Sequence, residues 1–309
     1  MKKISIGIIT YKRPIGLEKI LRSFKSQSLE NIDLSVIVVD NDATGENQKV
    51  IDKLKEEGYP FELQLFVERE RGIVAARNRT VSEFLKTASE SMIFVDDDEW
   101  PSHNNWIEKL SEVERDYNAD IVYSDITIIP ETDEINWVQT AYRSNSEGDI
   151  IRPIKEFFTN NLLVNRNVYE ELNPPFDERF AMTGSSDLHF SIKANNSGFK
   201  AYFTPDAAVE EIFPTTRATL KWFFLRGYRT GEGSTRANMY EGKLLPTLAY
   251  IFYKFIGRIV RAIQMFIKLL LTFDKGYFYK GVTYVAAAIG TITGFFGLQY
   301  NEYEVIHGK

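Results

Sequence analysis

The feature that most constrains the fold is an alternation of short apolar runs with segments of helical periodicity over the first hundred residues. The runs ISIGII (4–9) and LSVIVVD (34–40) are rich in β-branched residues, and the second is apolar without alternation, as in a strand covered on both faces. Segments with helical spacing separate the runs, first from Leu17 to Phe24 and later in IVAARNRTVSEFLK. The runs FELQLF and SMIFVD continue the series. This order predicts an α/β fold with a mostly parallel sheet and helices on both faces.

The composition sets broad limits on function. The chain has 309 residues, of which 44% are hydrophobic, which is enough for one large domain with an appendage. Its 37 basic and 43 acidic residues give a net charge of -6, so we expect no nucleic-acid partner. The lack of cysteine in the sequence excludes disulfides and a cysteine nucleophile. The start, MKKISIGIITYKRP, has the lysine pair of a signal peptide but too short an apolar stretch, so we expect a first strand there.

Polar side chains stand where the predicted strands end. Ligands bind beyond the carboxyl ends of parallel strands, so these residues are candidates for a site. Neither the glycine-rich dinucleotide fingerprint nor a P-loop follows the first strand. An aromatic ring, cations and carboxylates suit a stacked base, a ribose and a metal-bound diphosphate, which predicts a nucleotide-sugar site. The candidates are Thr10, Tyr11 and Arg13 after the first strand, Asp40, Asn41 and Asp42 after the second, and Asp96, Asp97 and Asp98 after a later one.

The three adjacent aspartates carry the strongest single indication. Like charges a few ångströms apart repel, so a bound cation is the usual reason to assemble them. A solvated strand end is the alternative explanation for such a run.

Five sequence segments stand in the order and spacing of a known family. They are GIITYKRP, VIVVDND, RGIVAARN, FVDDDEWP and GSSDLHFSIKANNSGF. Together they resemble family 2 glycosyltransferases, which have a GT-A fold, and the resemblance runs from residue 4 to residue 231. The segment AAVEEIFPTTRATLKWFFLRGYRTGE is similar to the bacterial exopolysaccharide branch that includes succinoglycan-type β-glucosyltransferases.

The resemblance implies roles for individual residues. Asp96 would contact the nucleotide, and Asp98 would bind Mn²⁺ or Mg²⁺ across both phosphates. Asp96 and Glu211 are further candidate ligands of the metal, and Glu211 stands where the family usually has a metal-binding histidine. Arg77 matches a position expected near the diphosphate, with Arg71 as a weaker candidate.

Asp187 falls on the position of the family's catalytic base. The family pattern there is usually Glu-Asp, and Ser186 replaces the acidic partner in this sequence. A carboxylate that deprotonates an acceptor hydroxyl supports direct displacement with inversion, so an α-linked UDP-sugar would give a β-linkage. The alternative is that Asp187 caps the helix that starts beside it.

The last quarter of the sequence has a different character. Residues 249–273, AYIFYKFIGRIVRAIQMFIKLLLTF, contain four cations and no acid, and the cations fall on one side of a helix. A basic stripe on an apolar helix indicates a helix that lies in an anionic membrane surface. The alternative is a helix that packs on the catalytic domain and exposes its basic edge to solvent. The cations are Lys254, Arg258, Arg261 and Lys268.

Residues 281–300, GVTYVAAAIGTITGFFGLQY, carry no charge. At about 1.5 Å per residue they would barely cross a bilayer core of about 30 Å, so a span and an interfacial helix stay open. The sequence therefore predicts a catalytic domain over residues 1–242 and a helical, membrane-associating region over residues 243–309.

These features predict a metal-dependent inverting glycosyltransferase. It would transfer glucose or a related hexose from a UDP-sugar to a lipid-linked oligosaccharide in bacterial exopolysaccharide or capsule synthesis. The C-terminal region predicts a peripheral or monotopic enzyme on the cytoplasmic face of the cell membrane. Guanidinium groups match phosphate oxygens, so three arginines before that region are candidates to contact the diphosphate of donor or acceptor. They are Arg217, Arg226 and Arg229.

Other functions are alternatives to this prediction. A non-catalytic scaffold that binds glycans or nucleotide-sugars stays open because Ser186 and Glu211 depart from the family pattern. A sugar nucleotidyltransferase would place a glycine-rich, arginine-containing loop after the first strand, and TYKRP is not such a loop. A processive polysaccharide synthase would carry Q-x-x-R-W and several clear transmembrane segments, and the sequence has neither.

Overall fold

The structure is a computed structural model that describes residues 1–142, 150–242 and 244–298. Its strands are β1 (Lys2–Thr10), β2 (Ile32–Asp40), β3 (Glu62–Val67), β4 (Ser91–Asp96), β5 (Glu99–Pro101), β6 (Ile121–Pro130), β7 (Arg152–Ile154), β8 (Leu162–Asn165) and β9 (Ala201–Phe213). Its helices are α1 (Pro14–Ser23), α2 (Glu46–Glu56), α3 (Ile73–Phe84), α4 (Trp106–Asp116), α5 (Val138–Tyr142), α6 (Arg166–Glu171), α7 (Ser186–Asn196), α8 (Leu220–Glu241), α9 (Leu244–Thr272) and α10 (Lys275–Phe295).

The strands form one sheet in the order β3-β2-β1-β4-β8-β6-β9-β5, and β7 pairs with β9. The neighbours from β3 to β4 are parallel. The pairs β4–β8, β8–β6, β9–β5 and β9–β7 are antiparallel. The predicted α/β class and its parallel strands are confirmed, and the antiparallel strands extend the sheet. Three of these, β5, β7 and β8, have only three or four residues, too few to leave a periodic pattern in the sequence.

The chain forms two compact units. The first unit comprises the described residues within Met1–Thr127, Gly148–Ala181 and Phe190–Glu211, and the second unit comprises the other described residues. Helices α8, α9 and α10 all belong to the second unit, where α8 and α9 both pack against α10. The units therefore do not divide at residue 242, the predicted end of the catalytic domain. Part of the predicted C-terminal region, residue 243 and residues 299–309, lies outside the described residues.

The sheet of the first unit is covered on both faces. Ile93 and Val95 of β4 belong to a core that α1, α2 and α4 complete. Phe94, between them, points to the other face and lies against Tyr169 of α6, with 6.5 Å between ring centroids. Phe84 of α3 contacts the same tyrosine ring at 5.8 Å. Because successive residues of β4 are buried on opposite faces of the sheet, its sequence is a continuous apolar run.

In the second unit, α8 and α10 approach each other closely through glycine. A Cβ atom at Gly231 would clash with the carbonyl oxygen of Ala287, and one at Gly290 would clash with that of Tyr228. Small residues that let helix backbones approach are typical of tightly packed helix pairs. Gly290 and Gly294 are thus explained by packing against α8, and Gly281 lies against the Phe266 ring of α9. Residues 299 and 300 lie outside the described part.

Arg258 of α9 is buried and does not lie on a solvent-exposed basic edge. It is 9% exposed, and its guanidinium donates to the hydroxyls of Ser234, at 2.9 Å, and Thr291. The basic stripe predicted for this helix is therefore wrong at Arg258, because a helical projection shows which residues share a side but not which side packs inward. Nowhere in the described ranges is a helix both long and apolar enough to cross a membrane.

Candidate active site

Three predicted candidates of the first unit meet at one edge of its sheet. Strands β1 and β2 align with Thr10 opposite Asp40, and β1 and β4 align with Ile9 opposite Asp96. Neighbouring strands lie about 4.8 Å apart, so these strand ends fall within two strand spacings of each other. The sequence prediction that the ends of these strands come together is confirmed.

Arg13, in the turn after β1, binds the aspartates that follow β4. Its Nη1 atom donates to Asp97 Oδ1 at 2.9 Å and to Asp98 Oδ2 at 2.7 Å. Asp97 is buried, and burial raises its pKa to about 6, whereas the Arg13 charge acts in the opposite direction. Asp98 is only half-buried. Arg13 therefore offsets part of the negative charge while Asp98 stays accessible to solvent.

Asp96 is the most exposed of the three aspartates. Nearby protein atoms nevertheless remove enough hydration to raise the pKa of its carboxyl, and the charges of Asp98 and Asp97 raise it further. The positive charge of Arg77 acts in the opposite direction. The exposed face makes Asp96 accessible to a ligand, and its raised pKa reflects lost hydration first and the neighbouring carboxylates second.

Glu99 and Glu211 lie directly opposite each other on the antiparallel strands β5 and β9. Like charges in such a pair destabilise it. Glu99 is 2% exposed, and among the described residues its Oε2 atom has no hydrogen-bond partner. Burial, followed by the charges of Asp96 and Glu211, raises the pKa of Glu99 well above its usual range. We refer to this group as the carboxylate cluster: Asp96, Asp97, Asp98, Glu99 and Glu211.

Glu99 is a member of this cluster that the sequence analysis did not select. Its position opposite Glu211 depends on a strand pairing between residues far apart in the chain, which no local pattern reports.

The carboxylate cluster fits a divalent cation only if the substrate completes the coordination shell. Within residues 1–142, 150–242 and 244–298, no three His, Asp or Glu side chains are arranged to hold a metal by themselves. Mg²⁺ is usually bound through one or two carboxylates together with substrate phosphates, and carboxylate oxygens also suit Mn²⁺. The accessible carboxylates of Asp98 and Asp96 therefore fit a metal that a diphosphate helps to bind.

The other predicted nucleotide contacts are already engaged within the first unit. The Arg71 guanidinium lies 5.5 Å from the ring centroid of half-buried Tyr11. Arg77 is buried, with its guanidinium 5.6 Å from the Phe176 ring centroid. Of the two candidates for the diphosphate, Arg77 is the one whose charge acts on Asp96.

Asp40 and Asp42 form a closed turn after β2. The backbone N–H of Asp42 donates to Asp40 Oδ1 at 2.9 Å, and the Thr44 hydroxyl donates to Asp42 Oδ2 at 2.6 Å. Asp40 is buried, and burial raises its pKa. An ionised carboxylate has about four acceptor sites. A ribose hydroxyl would therefore donate to the acceptor sites of Asp40 that the hydrogen bonds of the turn do not use.

Asn41, one of the polar residues that the sequence analysis selected after the second strand, positions two loops at this edge of the sheet. Its side-chain nitrogen donates to the carbonyls of Glu68, at 3.0 Å, and Glu70, at 2.7 Å. Its Oδ1 accepts from the Gly72 N–H at 2.9 Å. The loop after β2 is thereby tied to the loop before α3, the helix that carries Arg77.

Asp187 lies in the second unit, in the first turn of α7. Its Oδ1 accepts from the backbone N–H of Leu188 at 2.8 Å, and the side chain is half-exposed. Ser185, two residues earlier, has a φ of 69°, an uncommon conformation for a residue other than glycine. The carboxylate thus stabilises the start of the helix and also stays open to solvent, so capping and a chemical role are compatible.

The three candidate arginines also lie in the second unit. Arg217 ends a short 3-10 turn. The Arg226 guanidinium lies 5.3 Å from the Trp222 ring centroid and 5.1 Å from that of Tyr142, and Arg229 is half-buried. Their predicted contact with a diphosphate stays a prediction.

Over residues 5–173, more than half of its length, the sequence matches the family Glycosyl transferase family 2. The chain belongs to this family, as its motifs predicted. It is 29% identical over 231 residues to the succinoglycan biosynthesis protein ExoM of Rhizobium meliloti strain 1021, a match that covers 74% of this chain and 73% of that protein.

Solved structures share the fold. The mannosyltransferase PcManGT of Pyrobaculum calidifontis, in complex with GDP-Man and Mn²⁺, has a TM-score of 0.63 at 17% identity and covers 94% of this chain and 86% of its own. The S. aureus protein TarS in complex with UDP has a TM-score of 0.54 at 15% identity, with 100% of this chain and 95% of its own covered. These likenesses confirm the GT-A fold.

Proposed function

We propose that the protein is an inverting glycosyltransferase that moves glucose or a related hexose from a UDP-sugar to a lipid-linked oligosaccharide. The observation that carries the donor part is the carboxylate cluster at the sheet edge, with Arg13 and Arg77 beside it. A nucleotide diphosphate brings its own negative charge, so such a cluster accommodates it only together with cations. PcManGT with GDP-Man and Mn²⁺ supports a nucleotide-sugar and a divalent metal, and TarS with UDP supports the uridine nucleotide.

A metal would be held by Asp98, with Asp96 as a second ligand and Glu211 as a third candidate. Bound Mn²⁺ or Mg²⁺ supplies positive charge that offsets the charge developing on the leaving diphosphate. Arg77 would contribute a fixed positive charge to the same phosphates.

Asp187 would act as the general base. Its carboxylate takes the proton of the acceptor hydroxyl as the hydroxyl oxygen bonds to the anomeric carbon. The bond from that carbon to the donor phosphate breaks at the same time, and UDP leaves with the electron pair. Attack opposite the leaving group inverts the anomeric centre, so an α-linked donor gives a β-linked product.

The acceptor is proposed to be a polyprenyl-diphosphate oligosaccharide of bacterial exopolysaccharide or capsule synthesis. The likeness to ExoM, a succinoglycan biosynthesis protein, supports a polysaccharide pathway. We place the enzyme on the cytoplasmic face of the cell membrane, with α9 at the lipid surface. Arg217, Arg226 and Arg229 would contact the diphosphate of donor or acceptor.

Release of UDP tests this proposal. The purified protein is incubated with a panel of UDP-sugars, with Mn²⁺ and then with a chelator, and free UDP is measured. Metal-stimulated release from one donor is expected, with binding of that donor retained and turnover lowered at least about a hundredfold in Asp187→Asn. Asp116→Asn, an exposed change at the end of α4, serves as the matched control and should keep the wild-type rate.

The alternatives give other results. A binding scaffold would bind a UDP-sugar without releasing UDP from any donor. A sugar nucleotidyltransferase would release pyrophosphate from UTP and a sugar 1-phosphate. Near wild-type turnover by Asp187→Asn would show that another residue is the base.

A further inference from the structure

Helix α9 exposes an apolar stripe along nearly its whole length. The side chains of the stripe are between 43% and 77% exposed, and their spacing of seven, four, seven, four and three residues places them on one face. From first to last they extend over about 38 Å at about 1.5 Å per residue. They are Leu245, Phe252, Ile256, Ile263, Ile267 and Leu270.

The other face of α9 is the one that packs inward. Ile251, Arg258, Ala262 and Met265 are buried there. A helix at the surface of a water-soluble domain normally turns its polar face to solvent once its apolar face is buried. Single exposed apolar residues are ordinary, but a contiguous exposed patch marks an interaction surface. The stripe is therefore a docking face.

The charge of the helix as a whole selects the occupant of the stripe. The sequence has no acid between Glu241 and Asp274, and Arg261 and Lys268 of α9 are exposed. A second copy docked through the same stripe would bring together two helices that both carry cations and no acid. An anionic lipid surface complements them instead and accepts the apolar side chains below its headgroups.

Phe273, at the turn between α9 and α10, continues the stripe. It is 87% exposed and has a φ of 56°, which is a rare conformation for a bulky residue. The next residue, Asp274, caps α10 by accepting from the Gly276 N–H at 2.8 Å, which fixes the turn. The turn thus holds an aromatic ring in solvent, where an amphipathic membrane-surface helix commonly places one.

We propose that the stripe of α9 and Phe273 insert into the interfacial layer of an anionic bilayer, whose charge attracts the cations Arg261 and Lys268 of the same helix. This assignment rests on the proposed function only in explaining why the protein would bind a membrane. Its residues differ from the basic stripe that the sequence indicated, because Arg258 packs inward and the apolar face is the exposed one.

Co-sedimentation with vesicles of phosphatidylcholine and phosphatidylglycerol tests the assignment on the full chain. Replacement of Phe252, Ile256, Ile263 and Leu270 by serine should weaken binding at least tenfold. The double variant Arg261→Gln/Lys268→Gln should lose about fivefold per cation, and only on anionic vesicles. The matched control Lys49→Gln/Lys55→Gln, on exposed positions of α2, should bind like the wild type.

A gain-of-signal measurement covers the case in which the serine variant does not fold. The chain has no cysteine, so Phe252→Cys can be labelled at one site with an environment-sensitive dye, and Lys55→Cys provides the control. Vesicles should shift the emission to the blue at position 252 and leave it unchanged at position 55. No shift at position 252, or full vesicle binding by a folded serine variant, would overturn the assignment.

Two further outcomes separate this assignment from its rivals. A shift at position 252 that depends on protein concentration without vesicles, with dimers in sedimentation velocity, would assign the stripe to a second copy and overturn lipid docking. Vesicle binding without UDP release from any donor would contradict the proposed function and leave docking standing. UDP release without vesicle binding would contradict lipid docking and leave the proposed function standing.

Discussion

At the scale of single residues, Arg13 is central to the charge balance of the carboxylate cluster. Burial alone would lower the pKa of its guanidinium, but the charges of Asp98 and Asp97 outweigh it and the net direction is upward. Arg13 therefore stays protonated. It contacts two carboxylates of the cluster, and burial, followed by the charges of neighbouring carboxylates, still raises the pKa of Asp96 and of Glu99.

The first prediction concerns Asp98. Because its half-exposed carboxylate is the proposed ligand of the metal, Asp98→Asn should weaken Mn²⁺-dependent UDP binding by about tenfold to a hundredfold. Titration calorimetry with and without Mn²⁺ measures the effect. Asp52→Asn on exposed α2 is the matched control. Equal metal stimulation in the Asp98 variant and the wild type would rule out this role.

A second prediction concerns Glu232 of α8, which is fully buried beside Arg236. Burial raises its pKa from 4.5 to about 7, and the Arg236 charge opposes the rise. The folded state therefore binds more protons than the unfolded state between about pH 4.5 and 7, and the contribution of Glu232 to stability falls as pH rises through that window.

Glu232→Gln should remove this dependence. The difference in unfolding free energy between wild type and variant should change by roughly 1 to 3 kcal/mol across the window, in favour of the variant at higher pH. Urea titrations at pH 5 and pH 7.5 measure it. A difference that does not vary with pH would mean that Glu232 is ionised throughout.

At the scale of elements, the contact between α8 and α10 depends on glycine. Gly231→Ala places a Cβ against the Ala287 carbonyl, so the helices must separate, and we expect a loss of about 1 to 3 kcal/mol in the free energy of unfolding. Gly257 of α9 is the matched control, since a Cβ there meets nothing within 4 Å. Gly257→Ala should stabilise by up to about 1 kcal/mol through helix propensity. Equal effects of the two changes in urea denaturation would contradict this packing.

Some elements could be predicted from the sequence and others could not. The parallel strands β1, β2 and β4 are visible because burial on both faces demands continuous apolar runs. Strand β5 could not be predicted in this way, because three residues are too few to show a periodicity. The position of Glu99 opposite Glu211 could therefore not be predicted either. The periodicity of α9 indicates an amphipathic helix, but which face packs depends on partners such as Ser234, far away in the sequence.

At the scale of the whole molecule, the candidate residues occur in both compact units. The carboxylate cluster, Arg13 and Arg77 belong to the first unit, and Asp187 belongs to the second. The triple aspartate could be selected from local sequence because adjacent like charges need a cation. The role of Asp187 rests on the family resemblance, since a carboxylate at a helix start has an ordinary capping function as well.

The configuration of the transferred sugar tests the central claim most directly. The protein is incubated with UDP-α-[1-¹³C]glucose, or the donor that the release assay selects, Mn²⁺ and lipid-linked acceptor from a membrane extract, and the product is examined by NMR. A new β-glycosidic linkage, absent in Asp187→Asn and after chelation of the metal, is the expected result. An α-linked product, or equal β-linked product from the Asp187→Asn variant, would contradict direct displacement with Asp187 as the base.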